Sequence, residues 1–250
     1  MRIYECADYK AMSRRAASLI AAQVLLKPDC VLGLATGSTP IGLYDQLTEW
    51  YQKGDLSFAK VRSVNLDEYL GLAPTHEQSY RYFMQHNLFD RIDIPAESTH
   101  VLNGLAQDPD AECAAYDQLI RDLGGVDMQL LGMGHNGHIA FNEPGDDFGL
   151  GTHVVELAER TIDANQRFFA SRDEVPRKAL SMGIKSIMGA RRILMVVSGA
   201  DKAESLCKAV TGPVTNEVPA SVLQLHPDVT IVGDTAALSK LKEAGVPVCG

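Results

Sequence analysis

The feature that most constrains how this 250-residue chain can fold is an alternation. Short apolar, often β-branched runs are separated by longer stretches whose apolar residues recur at helical spacing, the pattern of β–α units laid around a parallel sheet. Cys30 to Leu34, Val61 to Leu66, Met128 to Leu131, Arg192 to Val197 and Val229 to Gly233 read as strands. Between them, a helix opens on Asp8 as its N-cap, carries Met12, Ala16, Leu19 and Ile20 on one face, and stops at Pro28. A second begins at Pro40 and runs toward Gly54, with Trp50 read as packing, and a third opens on Asp108-Pro109 and closes at Gly124-Gly125. One more helix is expected from about Ala200, and a last one ending near Gly245. No repeat, linker or composition break interrupts the pattern. The expectation is an α/β fold, a single domain over residues 1–250 with a mainly parallel sheet flanked by helices.

Charge narrows the partners. Against 32 Asp and Glu stand 23 Lys and Arg, a formal net charge of −9, so a sequence-independent grip on nucleic acid or an anionic membrane is not expected. The sum leaves room for a small anion held by local positive charge. Five scattered cysteines without a C-x-x-C pair fit reduced thiols and give no zinc spacing. Acidic residues enter the N-terminal segment before an apolar core could develop, and no apolar run nears the ~20 residues of a membrane span. A cytoplasmic protein is expected.

Ligands of parallel sheets bind beyond the carboxyl ends of the strands, and the segments there are unusual. Thr36-Gly37-Ser38-Thr39-Pro40 joins a glycine and hydroxyls to a helix N-terminus, a donor set for a phosphate, but lacks the lysine and spacing of a nucleotide-binding P-loop. An ordinary capped turn would read the same way. Asp67-Glu68-Tyr69 places two carboxylates at a strand end, where one, partly desolvated, can serve as a base, or both simply cap a turn. The segment Gly132 to Gly145 contains a literal G-x-G-x-x-G. A dinucleotide site is rejected, because Asn142, Pro144 and Gly145 break the helix that must follow. Metal binding by His135, His138 and Glu143 has the right residue types without a further ligand cluster. The remaining readings are His138 as a proton shuttle set by Asn136 and Glu143, or a loop histidine satisfied by backbone. Positive charge for a phosphate can come from Arg167 or Lys202, each equally readable as solvated surface charge.

Jointly, Ala35 to Pro40, Asn65-Leu66-Asp67-Glu68-Tyr69, Gly134 through Glu143, and Leu223-Gln224-Leu225-His226-Pro227 resemble the glucosamine-6-phosphate deaminase family over nearly the whole chain. The resemblance implies a Rossmann-like fold and amino-sugar catabolism: glucosamine 6-phosphate becomes fructose 6-phosphate and ammonia, with no metal and no cofactor. It implies a hydrolase acting on a C–N bond, with His138, Glu143 and Asn136 opening the sugar ring and Asp67 removing the C2 proton. Thr36, Gly37, Ser38, Arg167 and Lys202 would hold the phosphate. A small sugar phosphate is thus the implied partner, and monomer and homo-oligomer are both compatible with it.

The chain departs from the family pattern in two respects. Many relatives carry Asp where this chain has Asn136, which can orient His138 but lends no negative charge to an imidazolium. The acid limb of a pH–rate profile is therefore expected to lie lower than in the Asp-bearing relatives. Relatives activated by N-acetylglucosamine 6-phosphate carry basic residues after Asn-Glu-Pro, whereas this chain has Asp146, Asp147, His153 and Val155. Absence of that activation is expected. The alternatives are a 6-phosphogluconolactonase-type hydrolase and a non-catalytic sugar-phosphate sensor. Phe141-Asn142-Glu143-Pro144 and Asp67-Glu68-Tyr69 favour the deaminase, and the chain has no stretch for a DNA-binding module before its first strand.

Overall fold

Seven short parallel strands form the central sheet of the computed structural model, which describes residues 1–145, 148–159, 162–163, 166, 169 and 171–249. In chain order the elements begin with β1 (Arg2–Cys6), α1 (Tyr9–Leu26), β2 (Val31–Leu34), α2 (Ile41–Gln52), β3 (Arg62–Asn65), β4 (Asp67–Tyr69) and α3 (Tyr80–Asn87). They continue with β5 (Thr99–His100), α4 (Pro109–Asp122), β6 (Met128–Leu131), β7 (His153–Glu156), β8 (Lys178–Ser181) and α5 (Ile184–Met188). Last come β9 (Ile193–Val197), α6 (Ala203–Thr211), β10 (Val229–Asp234) and α7 (Ser239–Glu243). The expected strands and helices are present within a few residues of their predicted ends. Asp8 caps α1 by accepting from the Ala11 N–H at 2.8 Å, and Asp108 caps α4 in the same way from Ala111 at 3.0 Å.

The sheet order is β1-β10-β9-β6-β2-β3-β5. From β2 the chain moves outward through β3 to β5, then returns to lay β6 on the other side of β2 and proceeds to β9 and β10. Strand order therefore reverses between β2 and β6, which opens a crevice at their carboxyl ends. Close approach there needs Gly33: a Cβ would sit 2.0 Å from Oε1 of Gln129, its partner in register on β6. Side chains of β2, β6, β9 and β10 are buried throughout, as strands covered on both faces require.

Two parts of the architecture depart from the sequence expectation. An additional edge strand, β1, pairs in parallel with β10; its burial alternates too weakly to read as a core strand. More consequentially, Asp67-Glu68-Tyr69 is not the tail of β3. It is a separate strand in a second sheet, ordered β4-β8-β7 and antiparallel throughout. This sheet is supported by an apolar cluster of its own, built on Tyr69, Phe141, Leu157, Ile162, Val175 and Ala179. Its three-residue first strand is too short to show a period. The five cysteines, Cys6, Cys30, Cys113, Cys207 and Cys249, are free thiols. Among the described residues, no helix is long and apolar enough to cross a membrane.

Candidate active site

Four strands that lie side by side, β9, β6, β2 and β3, carry the candidate residues immediately beyond their carboxyl ends. Lys202 follows β9, the 132–143 segment follows β6, Thr36, Gly37 and Ser38 follow β2, and Asp67 follows β3. Residues spread over 167 positions of sequence thus meet at one crevice. Arg167, Asp146 and Asp147 lie outside the described residues.

The turn after β2 is built for close approach. Gly37 has φ of +94°, and a Cβ there would meet no atom within 4 Å, so the space above it is open. Tyr44 on α2 donates its hydroxyl to the Ala35 carbonyl at 2.6 Å from a fully buried position. Tyr9 on α1 donates to the Ser38 carbonyl at 3.1 Å and accepts from the Gly42 N–H at 2.9 Å. One first-turn donor of α2 is therefore already occupied. The hydroxyls and main-chain donors of Thr36 to Ser38 remain candidate anion contacts.

Asp67 is 7% exposed, and its carboxylate makes no hydrogen bond among the described residues. Burial, reinforced by the neighbouring Glu68 charge, pushes its pKa up to about 8. Glu68 points the other way and is 1% exposed. Its two oxygens accept from the main-chain N–H groups of Tyr69, Tyr80 and Arg81 at 2.8–2.9 Å. Burial holds the Glu68 pKa above the usual carboxylate range, with these three donors pulling it back. The paired carboxylates thus differ: Glu68 fixes β4 to the start of α3, and Asp67 is left without a side-chain hydrogen bond among the described residues.

The loop after β6 is a tight structure. The Gly134 N–H donates to the His138 carbonyl at 2.9 Å, and the Gly137 N–H to the Gly134 carbonyl at 3.1 Å. The imidazole of His138 lies over Gly134, where a Cβ would fall 2.1 to 2.4 Å from three ring atoms. Gly137 has φ of +84°, and Ala140, not a glycine, has φ of +50°. That left-handed residue costs about 1 kcal/mol and is held by the bridge between Ile139 and Asn142. Among the described residues no helix follows, as expected from Asn142 and Pro144.

Glu143 Oε1 stands 3.3 Å from His138 Nδ1, with both side chains largely buried, yet Nδ1 makes no hydrogen bond. Asn136 is placed differently from expectation. Its Nδ2 donates to Glu143 Oε2 at 2.5 Å, and its Oδ1 accepts from the main-chain N–H of His138 at 3.2 Å. It orients the carboxylate beside the imidazole rather than the imidazole itself, because the turn at Gly137 directs the ring toward Gly134. His135 turns away to pair with Asp201 at 3.0 Å. Among the described residues no group of three or more His, Cys, Asp or Glu converges as metal ligands would.

The second sheet joins Asp67 to the loop after β6. Asp67 pairs with Ser181 across β4 and β8. Ser181 Oγ accepts from the Phe141 N–H at 3.1 Å, and the Met182 carbonyl accepts from Asn142 Nδ2 at 2.8 Å. Rings of Tyr69, Tyr80 and Phe141 pack with centroids 4.9 to 6.1 Å apart, and Phe169 closes on Tyr69 at 6.0 Å. Sequence reading missed Ser181 and this aromatic group; three aromatics flanking the two acidic motifs were the available signal. The Leu223 to Pro227 motif has a structural part. His226 Nε2–H donates to the Ala190 carbonyl at 2.8 Å, and Nδ1 accepts from the Asp228 N–H at 3.1 Å.

Comparison with known proteins agrees with this geometry. The sequence model of the family described as Glucosamine-6-phosphate isomerases/6-phosphogluconolactonase matches residues 7–232. A glucosamine-6-phosphate deaminase of Lachnoclostridium phytofermentans is 61% identical over 93% of this chain and 98% of its own. One from Geobacillus sp. is 54% identical over 96% and 95%. The solved structure of a monomeric glucosamine-6-phosphate deaminase superposes with a TM-score of 0.93 at 48% identity, covering 96% of this chain and 100% of that one. A 6-phosphogluconolactonase from Trypanosoma cruzi shares the fold, with a TM-score of 0.75 at 21% identity. A reversed strand order at the crevice, a buried carboxylate and a histidine–glutamate loop thus accompany a sequence match over most of the chain, which belongs to the glucosamine-6-phosphate isomerase/6-phosphogluconolactonase family.

Proposed function

We propose that the protein converts glucosamine 6-phosphate and water to fructose 6-phosphate and ammonia. The observation that carries the reading is Asp67, a buried carboxylate with a raised pKa and no hydrogen bond, tethered through Ser181 to the loop that bears His138 and Glu143. Proton abstraction from a carbon next to a carbonyl needs such a base, since a well-solvated carboxylate is too weak for it. The phosphate is held by Thr36, Gly37 and Ser38, with charge from Lys202 and Arg167. His138, beside the Glu143 carboxylate, passes a proton between the anomeric hydroxyl and the ring oxygen to open the sugar. Asp67 then takes the C2 proton, the double bond moves to C1–C2, and reprotonation at C1 leaves a ketimine. Water adds there and ammonia leaves. The chemistry is an isomerisation coupled to deamination, and hydrolysis of the C–N bond is its last part. Each step uses side chains already present, with no cofactor in the scheme, and free cysteines fit a cytoplasmic setting.

The test is purified protein with glucosamine 6-phosphate, scored for ammonia and fructose 6-phosphate in equal amounts. Turnover of 6-phosphogluconolactone instead would move the protein to the lactonase branch. Binding without turnover of either would make it a sensor.

Asn136 gives a prediction from its contact with Glu143. Asn136→Asp sets a second carboxylate against Glu143, and two such groups cannot both be charged at this separation. The acid limb of the pH–rate profile is expected to move upward, with kcat/KM at pH 7 falling about tenfold. An unmoved limb would separate Asn136 from the proton transfer.

Regulation follows the same reading. A cleft of about 530 Å³ opens beside Glu143, and His153, Val155 and Glu156 line it without any Lys or Arg among the described lining residues. Such a cleft does not favour an anionic effector. Hyperbolic kinetics, unchanged by N-acetylglucosamine 6-phosphate, are expected; sigmoidal kinetics relieved by it would overturn this.

A further inference from the structure

We infer that Asp234 is a positioning residue for the phosphate grip: through its carboxylate it sets the turn that carries Lys202. The inference rests on the proposed part of Lys202 in holding the substrate phosphate.

Asp234 is the last residue of β10, and its neighbour Gly233 is in register with Val197 at the end of β9. It is 7% exposed and is used entirely as an acceptor. Oδ2 receives the Ser198 hydroxyl at 2.5 Å and the Gly199 N–H at 3.1 Å. Oδ1 receives the same N–H at 3.2 Å and the Ala237 N–H at 2.8 Å. Among the described residues, the Ser198 hydroxyl and two main-chain N–H groups, of Gly199 and Ala237, converge on its two oxygens, a set that a carboxylate satisfies and that an amide, with one accepting oxygen, satisfies only in part.

From there to Lys202 the path is short. Gly199 has φ of +96°, a left-handed value that needs glycine. A Cβ on it would lie 2.5 Å from Asp201 Oδ1, so the Asp201 side chain folds back over the turn. The Gly199 carbonyl accepts from the Lys202 N–H at 3.2 Å, and the Lys202 carbonyl from Ser205 Oγ at 3.0 Å. A single residue, Gly199, therefore links the bond to Asp234 with the bond to Lys202. Asp201 also pairs with His135 at 3.0 Å, which ties this turn to the loop bearing His138. The Lys202 main chain is fixed from within the fold by a turn whose shape depends on Asp234, just beyond the carboxyl end of β9. Among the described residues, Asp234 forms no ion pair. Its charge is spent on main-chain and hydroxyl donors, which is the pattern of a group that shapes a loop.

The experiment compares Asp234→Asn, Ser198→Ala, Lys202→Ala and the Asp234→Asn/Lys202→Ala pair. It measures kcat and KM for glucosamine 6-phosphate and the competitive Ki of inorganic phosphate, with thermal melts alongside. Asp234→Asn is expected to raise KM about tenfold and the phosphate Ki by the same factor, with kcat within about threefold. Ser198→Ala moves both in the same direction by about two- to threefold. The double variant is expected to bind no worse than Lys202→Ala alone, since both changes remove one interaction. A lowered melting temperature with unchanged KM and phosphate Ki, or full additivity in the double variant, overturns the inference. If Asp234→Asn does not fold, Ser198→Ala decides, and an unchanged KM there overturns it equally. Should Lys202→Ala leave phosphate binding intact, the phosphate reading of Lys202 fails and takes the inference with it. If Lys202→Ala weakens phosphate while Asp234→Asn and Ser198→Ala do not, the inference about Asp234 fails by itself.

Discussion

Asp67→Asn is expected to abolish exchange of the C2 proton with solvent and to lower kcat by at least about 10³-fold, with KM for glucosamine 6-phosphate within about threefold. The asymmetry follows from position. In the proposed scheme Asp67 is the base; it makes no side-chain hydrogen bond among the described residues, and removing its charge takes nothing from the proposed phosphate contacts. The pH dependence of the unaltered enzyme carries the same signature. With its pKa pushed up to about 8 in the free protein, kcat/KM should fall about tenfold per pH unit below that value, after correction for ionisation of the sugar amine. Bound substrate places a positively charged amine near the carboxylate and favours its ionised form, so the acid limb of kcat should lie lower. A kcat/KM limb well below 6 would mean that Asp67 is solvated and that another group takes the proton.

The same carboxyl couples activity to stability. Its ordinary value is 3.8 and its value in the fold about 8, so between those pH values the folded chain holds a proton that the unfolded chain has released. Stability due to this group therefore declines as pH rises from about 4 to 8 and is level above. Each unit of displacement is worth about 1.4 kcal/mol. Asn carries no charge and escapes the decline. Asp67→Asn should melt at least about 3 °C higher than the unaltered protein at pH 8.5, with no gain at pH 4. An inactive variant that is also more stable is a result that general disruption of the fold cannot produce.

Gly134→Ala is the second large effect. The added methyl would fall within 2.4 Å of the His138 ring, so the imidazole must swing away from Glu143. A displacement near 1 Å at a proton-transfer group costs about 10²-fold in rate. The expected result is a kcat loss of that size, close to the loss in His138→Ala, with the phosphate Ki unchanged. Ring opening can be followed separately by supplying the open-chain sugar fraction in a pre-steady-state burst, which the variant should process at nearly the normal rate. A kcat within threefold of the unaltered enzyme would place the working position of His138 elsewhere.

Much of this site could be read before the structure because its residues cluster in short motifs directly after strands. A strand that ends in Thr-Gly-Ser-Thr-Pro, or in a glycine-rich stretch broken by Asn-Glu-Pro, announces a loop where ligands bind. The parallel sheet was legible for the same reason, since fully buried strands such as Met128–Leu131 are continuous apolar runs. What escaped was set by contacts distant in sequence. β4 is three residues long and exists only because β8, more than a hundred positions later, pairs with it. The placement of Asn136 against Glu143 depends on the Gly137 turn and not on residue type. β1 was hidden because only two of its five residues are buried and they do not alternate, so an edge strand of this kind shows no period.

The position of β1 has a consequence for how the molecule comes into being. It is the first strand of the chain, yet its neighbour in the sheet is β10, and the Cys249 N–H and carbonyl bond to Ile3 and Glu5 as well. During synthesis from the N-terminus, α1 can pack on α2 as soon as that helix emerges, but β1 must wait more than two hundred residues for its partner strand. Closing so long a span is entropically slow, and pairing of distant parallel strands lengthens folding. The earlier strands β2, β3 and β5, by contrast, can associate as soon as they emerge. Asp67 and the Thr36 turn are thus brought together early, while Lys202 arrives with the last third of the chain. Completion of the sheet becomes a late event of folding, reached only when β10 forms beside β1.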